Sequence, residues 1–127
     1  MLINDAATVS ELKELYPLYE TALVENDVDT LMKMFWAAPE VMRFGVTENL
    51  YGIAELEAFR KARPSVGLVR TVKRLDVVAF GTDVGSVTLE FERTAAEGRV
   101  IRGRQSQVWA RMPEGWRIVA AHVSLLP

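Results

Sequence analysis

From Thr8 to Val24 the apolar residues fall at Val9, Leu12, Leu15, Leu18, Tyr19, Ala22 and Leu23. That is the three-and-four spacing of an amphipathic helix. Thr8 or Ser10 is placed to cap its start, with Glu11 in the first turn. Pro17 falls inside the pattern, removes one helical hydrogen bond and collides with the carbonyl of Lys13, so a kink or a break is expected there. Asn26-Asp27 interrupts the pattern. Asp27 is placed to cap a short second helix over Val28 to Trp36, which carries Leu31, Met32, Met34 and Phe35. Pro39 ends that region. Val41 to Gly45 reads as a short strand with Arg43 at its centre, and Thr47 to Gly52 as a loop. A third helix runs from about Ile53 to Arg63, closed by Pro64 and Gly67.

Beyond Leu68 the period changes to two. Leu68 to Phe80 reads as a long strand, with Gly81-Thr82-Asp83 as its turn. In Val84 to Thr94, Val87, Leu89 and Phe91 share one face, and Ser86, Thr88, Glu90 and Glu92 the other. Glu97-Gly98 leads into a long antiparallel hairpin, with arms Arg102 to Arg111 and Trp116 to Ser124 joined through Pro113-Glu114-Gly115. Helices first and consecutive strands afterwards predict an α+β cone. Its three N-terminal helices pack on the concave face of a strongly curved, mostly antiparallel sheet and close one end of a cavity.

The chain has 127 residues, which predicts a single domain over residues 1–127. The net charge of −2 makes no electrostatic case for nucleic acid or for an anionic membrane. There is no cysteine, hence no thiol nucleophile or thiolate metal site. No apolar run approaches the roughly 18 residues of a membrane span. The N-terminus lacks the basic and apolar regions of a secretory signal, so a cytoplasmic location is expected. No metal-ligand spacing, phosphate loop or nucleophile elbow occurs, and no cofactor is expected.

Several runs carry a family resemblance. They are Tyr19-Glu20-x-Ala22-Leu23-x-x-Asn26-Asp27, Arg43-Phe44-Gly45-x-x-Glu48-Asn49-Leu50-Tyr51-Gly52 and Phe59-Arg60-x-Ala62-Arg63. Gly103-Arg104-Gln105-Ser106-Gln107-x-Trp109 and Gly115-Trp116-Arg117-Ile118-Val119-Ala120-Ala121-His122-Val123-Ser124 complete the set. Together they resemble the AtzH/HpxZ family of the NTF2-like (SnoaL-like) superfamily over nearly the whole chain. The Glu48-to-Gly52 and Gly103-to-Gln107 runs are fairly specific to that family; the Gly-Trp-Arg-Ile-Val run marks only the superfamily. The resemblance implies a cone with a pocket between sheet and helices, and dimerisation through the outer sheet face. It implies a setting beside amidase-signature hydrolases in bacterial nitrogen scavenging, including oxalurate and cyanuric acid breakdown. For AtzH-like members it implies a cofactor-independent decarboxylating amidohydrolase that converts 1,3-dicarboxyurea to allophanate. The alternative is a non-catalytic accessory or stabilising protein for a neighbouring amidase.

The candidate catalytic residues are Tyr19 and Arg43. Tyr19 lies on the apolar stripe of helix one and is either a core aromatic or a pocket phenol that donates to a substrate carbonyl or protonates a leaving nitrogen. Arg43 interrupts an apolar strand and either faces solvent or grips a carboxylate of a small dianionic, urea-type substrate with its fork. Its apolar neighbours Met42 and Phe44 offer no acid, so a bound anion is the expected partner. Arg70, Arg104, Ser106, His122 and Asn49 are the candidate substrate-binding residues. Asn49, with Glu48, is placed to fix the loop beside Arg43. Arg70 rims the cavity or is merely solvated. Strand parity pairs Arg104 and Ser106 with an inward set containing Ile118 and His122; the alternative turns Arg104 out and Gln105 and Gln107 in. His122 is a satisfied core or rim histidine or a base, and a Ser106–His122 triad is disfavoured by the missing motif. On the first parity Trp109 faces outward and needs covering. A homodimer through the convex face, with Gln107 and Val119 beside Trp109, is therefore expected.

Overall fold

The computed structural model describes residues 1–64 and 68–127; the expected closing glycine, Gly67, lies outside the described residues. Helix α1 spans Ala6–Glu25. Asp5 caps it by accepting from the Thr8 amide, and Asn26 ends it in the left-handed region at φ 51°. Pro17 does not break α1. It lies on the exposed face, where water can satisfy the carbonyl that the proline leaves unbonded. Helix α2 spans Val28–Met34 and is shorter than the pattern predicts, because Phe35 leaves it extended to bridge Ile118.

Strands β1 (Met42–Phe44) and β2 (Asn49–Tyr51) form a tight hairpin, so the expected loop over Thr47 to Gly52 contains a strand. Helix α3 spans Ile53–Ala62. Strands β3 (Thr71–Phe80), β4 (Val84–Thr94), β5 (Val100–Met112) and β6 (Gly115–Leu125) follow. The sheet order is β2-β1-β6-β5-β4-β3, with β1 parallel to β6 and every other pair antiparallel. This is the predicted α+β cone with three helices on a curved sheet. No helix among the described residues is long and apolar enough to cross a membrane.

The core lies between the helices and one sheet face. Leu12, Tyr16, Tyr19, Leu31, Phe35 and Leu56 meet Val87, Leu89, Phe91, Trp109 and Ile118. Gly85 admits Leu12 against β4, since a side chain there would collide with the leucine methyl.

A bulge corrects the expected parity of the last hairpin. Val108 pairs with Ala120 but Trp109 pairs with Ile118, so Val119 is an extra residue on β6. Ile118 points inward, and after the extra residue the inward positions are Ala121, Val123 and Leu125, opposite Gln107, Gln105 and Gly103. His122 and Ser124 therefore face out, opposite Ser106 and Arg104. Trp109 is 1% exposed and faces the core with Gln107, which removes the sequence-based reason for a dimer at that residue.

Candidate functional site

One end of the cone encloses a cavity of about 340 Å³. Its wall draws on Leu23 of α1, Arg43 and the Val46-Thr47-Glu48 turn, Phe59 and Arg63 of α3, and Leu68 and Arg70. Phe91 and Arg93 of β4, Gln105 of β5, and Val123 and Leu125 of β6 complete it. Four guanidinium groups thus line a space with one carboxylate on its wall, Glu48.

Arg43 is inward and 4% exposed, because Met42 and Phe44 take the opposite, outer face of the short strand. Its partner is an acid, not the anion expected from its neighbours: Arg43 Nη1 donates to Glu48 Oε1 at 3.0 Å. The β1–β2 turn, closed by Gly45 N–H to the Glu48 carbonyl, brings that carboxylate back over the strand. Gly45 is needed beneath it, since a side chain there would strike the carboxylate. Burial pushes the Glu48 pKa up, but hydrogen bonds from Thr47 and Arg43 and the Arg43 charge outweigh it and hold the group below its ordinary range. Arg43 Nε is buried without a hydrogen-bond partner among the described residues.

Arg70 is neither solvated nor free. Its Nε and Nη2 donate to the two Glu20 oxygens at 2.8 and 3.0 Å, a bidentate pair. Nη2 also reaches Gln105 Oε1 at 2.7 Å and the Tyr16 hydroxyl at 3.3 Å. Gln105 Nε2 donates to the Tyr16 oxygen at 2.9 Å, and Tyr16 donates to Glu20 Oε1 at 2.7 Å. Burial lowers the Arg70 pKa, yet the Glu20 hydrogen bond and the neighbouring charges raise it overall. Burial, then the Glu20 charge, push the Tyr16 phenol up, so it stays neutral. These bonds join Arg70, Glu20, Tyr16 and Gln105 into one network beside the cavity.

Tyr19 is buried beside Tyr16 and Phe35, one layer behind the cavity wall. Its oxygen accepts from Arg60 Nη2 at 3.4 Å. Among the described residues its own proton has no acceptor. Arg60 is 1% exposed, has no carboxylate partner among the described residues and leaves Nη1 unbonded. Burial lowers its pKa, which the Arg43 and Arg63 charges reinforce against the raising effect of Tyr19, to about 10, so it remains a cation at neutral pH. Arg43, Arg60 and Arg63 approach the Phe59 ring at 5.5, 5.8 and 5.9 Å from its centroid. Phe59 thereby links the Tyr19–Arg60 pair to the Arg43 wall.

The other expected binding residues lie elsewhere. Arg104 and Ser106 face out by alternation with the buried Gln105 and Gln107, His122 and Ser124 are turned to the same outer face by the bulge, and Asn49 is exposed on β2. The Ser106–His122 pairing exists as cross-strand neighbours but outside the cavity. The site residues that the sequence reading passed over are Tyr16, Glu20, Glu48 as counter-ion, Arg60, Arg63 and Arg93, whereas the inward Gln105 is the alternative parity it left open. Arg60 and Arg63 stand within the Phe59-to-Arg63 run that carries part of the family resemblance, which was the available signal.

The AtzH-like family model matches residues 1–127. The chain belongs to the AtzH-like family. Two solved structures are similar over nearly their full lengths. A protein of unknown function from Pectobacterium atrosepticum is 46% identical, with 98% of this chain and 95% of that chain covered and a TM-score of 0.93. A cystatin-like fold protein from Burkholderia xenovorans is 40% identical, with 100% and 99% covered and a TM-score of 0.91. An NTF2-like superfamily protein from Salmonella enterica shares the fold, at 22% identity, 96% and 93% coverage and a TM-score of 0.77. No curated protein matches the chain. For this AtzH-like protein, the guanidinium-lined cavity at the end of the cone is the candidate site.

Proposed function

We propose that this AtzH-like protein is a decarboxylating amidohydrolase that converts 1,3-dicarboxyurea to allophanate in cyanuric acid breakdown. The observation that supports it is the excess of guanidinium over carboxylate around a partly open cavity, next to a buried phenol whose proton has no acceptor among the described residues. Loss of CO2 from an N-carboxylate breaks the bond between nitrogen and the carboxyl carbon. The bonding pair stays on nitrogen, which takes up a proton, and the carboxylate departs as CO2. Arg43 would hold the departing carboxylate's end of the substrate, and Tyr19, its oxygen held by Arg60, would supply the proton and recover it from water. The reading requires that a substrate carboxylate takes the place of Glu48 on Arg43 and opens a path to the Tyr19 hydroxyl. Such chemistry calls for no covalent nucleophile and no cofactor.

The test is release of CO2 from freshly prepared dicarboxyurea by the purified protein, with allophanate followed as the co-product. CO2 release no faster than in buffer would sink the reading.

A second reading rests on the outer face, where Met42 and Val108 are 43% and 39% exposed beside Phe44 and Ala120. We propose that a second copy covers this apolar surface in a homodimer of a cytoplasmic protein. In the accessory reading, a neighbouring amidase would be bound there instead, and co-purification with that amidase without turnover would favour it.

A further inference from the structure

The four guanidiniums of the cavity differ in how far the protein already neutralises them. Arg70 is neutralised by a bidentate pair with Glu20, and its Nη2 also donates to Gln105 and Tyr16. Arg43 is half-committed, with one bond to Glu48. The side chains of Arg63 and Arg93 make no hydrogen bond or ion pair among the described residues, although both residues are only partly exposed and line the cavity. The acids nearest them in sequence are engaged elsewhere. Glu57 pairs with Lys61 on the exposed side of α3, and Glu92 pairs with Arg102 across the sheet. Arg63 also stands beside the Phe59 ring, in the field of Arg43, whose charge, after burial itself, helps to lower its pKa. Two cations without a counter-ion among the described residues, one from the C-terminal end of α3 and one from β4, therefore share one cavity, whose wall also carries Leu23, Phe59, Phe91 and Val123. In such a space charge attraction is stronger than in water.

We propose that Arg63 and Arg93 clamp the second, unreacting carboxylate of a small dianion and so make the cavity selective for ligands with two anionic ends. The proposal rests on the dicarboxylate reading above and adds the residues that choose the substrate. It also accounts for turnover. Decarboxylation turns a dianion into a monoanion with nothing left to hold Arg43, and Glu48 returns to it. The product then keeps only the Arg63–Arg93 contact and leaves.

The experiment uses malonate as an unreactive dianion and acetate as a monoanion, titrated calorimetrically into the whole protein. Malonate should bind at least about tenfold more tightly than acetate. The double variant Arg63→Gln, Arg93→Gln should abolish the preference, so that malonate binds no more tightly than acetate. Arg63→Lys with Arg93→Lys, which keeps both charges, should retain most of the preference. Circular dichroism checks that each variant is folded, which is expected because neither side chain is hydrogen-bonded or ion-paired among the described residues. Turnover separates this proposal from the reading it rests on. If dicarboxyurea is converted, the Gln pair should raise KM at least tenfold with kcat within about threefold; an unchanged KM overturns the clamp while the activity stands. If dicarboxyurea is not converted but malonate still loses its preference in the Gln pair, the activity falls and the clamp stands. Equal malonate binding by wild type and the Gln pair overturns the clamp outright.

Discussion

Arg60 Nη2 lies 3.4 Å from the Tyr19 hydroxyl oxygen, and no carboxylate among the described residues neutralises that buried guanidinium. A buried cation without a counter-ion costs stability, and proteins retain such groups where function uses the charge. Replacing Arg60 by Met removes the desolvation cost and orphans no acid; it leaves only the Tyr19 oxygen unpaired. Arg60→Met is expected to match or exceed the wild type in urea unfolding while its turnover falls at least about tenfold. A large loss of stability would make Arg60 a structural residue.

Tyr19→Phe keeps the ring against Tyr16 and Phe35 and deletes the hydroxyl. Arg43→Lys keeps a charge and deletes the planar fork. Each should lower kcat for dicarboxyurea at least tenfold, equivalent to about 1.4 kcal/mol of transition-state stabilisation, with the thermal midpoint nearly unchanged. Wild-type rates in both variants would show that these residues only pack.

Glu48 occupies the position on Arg43 that a ligand carboxylate would take. Its folded pKa lies below its ordinary 4.5, so it contributes stability above that value and loses it as the pH falls through the folded pKa. Glu48→Gln should therefore be less stable than wild type at pH 7, and the two should converge in strong acid. The same variant should bind malonate more tightly, because a competitor for Arg43 has gone. Gly45→Ala, which pushes the Glu48 carboxylate away, should reproduce the tighter binding. Weaker malonate binding in both would reject the exchange of Glu48 for a ligand.

Asn26 positions the arginines from a distance. Its Nδ2 donates to the carbonyls of Arg60 and Arg63 at 3.3 and 3.2 Å and so ties down the end of α3, while its own backbone is left-handed. Asn26→Ala should cost roughly 2 kcal/mol, from lost hydrogen bonds and left-handed strain. Asn26→Gly should recover the backbone part alone. Both should raise the KM for dicarboxyurea, and recovery of stability without recovery of KM is the signature to look for in guanidine melts paired with kinetics.

On the outer face, Val108→Glu places a charge in the apolar surface beside Met42 and Phe44. Light scattering should report a dimer for wild type and a monomer for the variant. A wild-type monomer at micromolar concentration would reject the dimer.

The helices and long strands were legible because their periods are long and unbroken. Pro17 misled because exposure, not sequence, decides whether water can mend the lost bond. The β2 strand was missed because three residues give too few alternations to see. The inward turn of Gln105 and Gln107 was one of two open phases, and a single extra residue at Val119 separated them. No periodicity argument can register such an insertion. Among the site residues, Arg43 was visible as a charge in an apolar strand. Glu48 was not, because its partnership depends on the turn that folds it back. Arg60, the most buried cation of the site, was hidden on a helix where an arginine ordinarily reads as solvent-facing.

The extra residue at Val119 divides β6 into two frames. Up to Ile118 the strand keeps time with Trp109 and Phe35; beyond it, Val123 and Leu125 keep time with the cavity. The strand works as a vernier between scaffold and chamber. The chamber's floor can be redrawn at 123 and 125 without moving the scaffold's marks, whereas removing one residue at the join would turn the chamber's lining inside out and bring His122 into it.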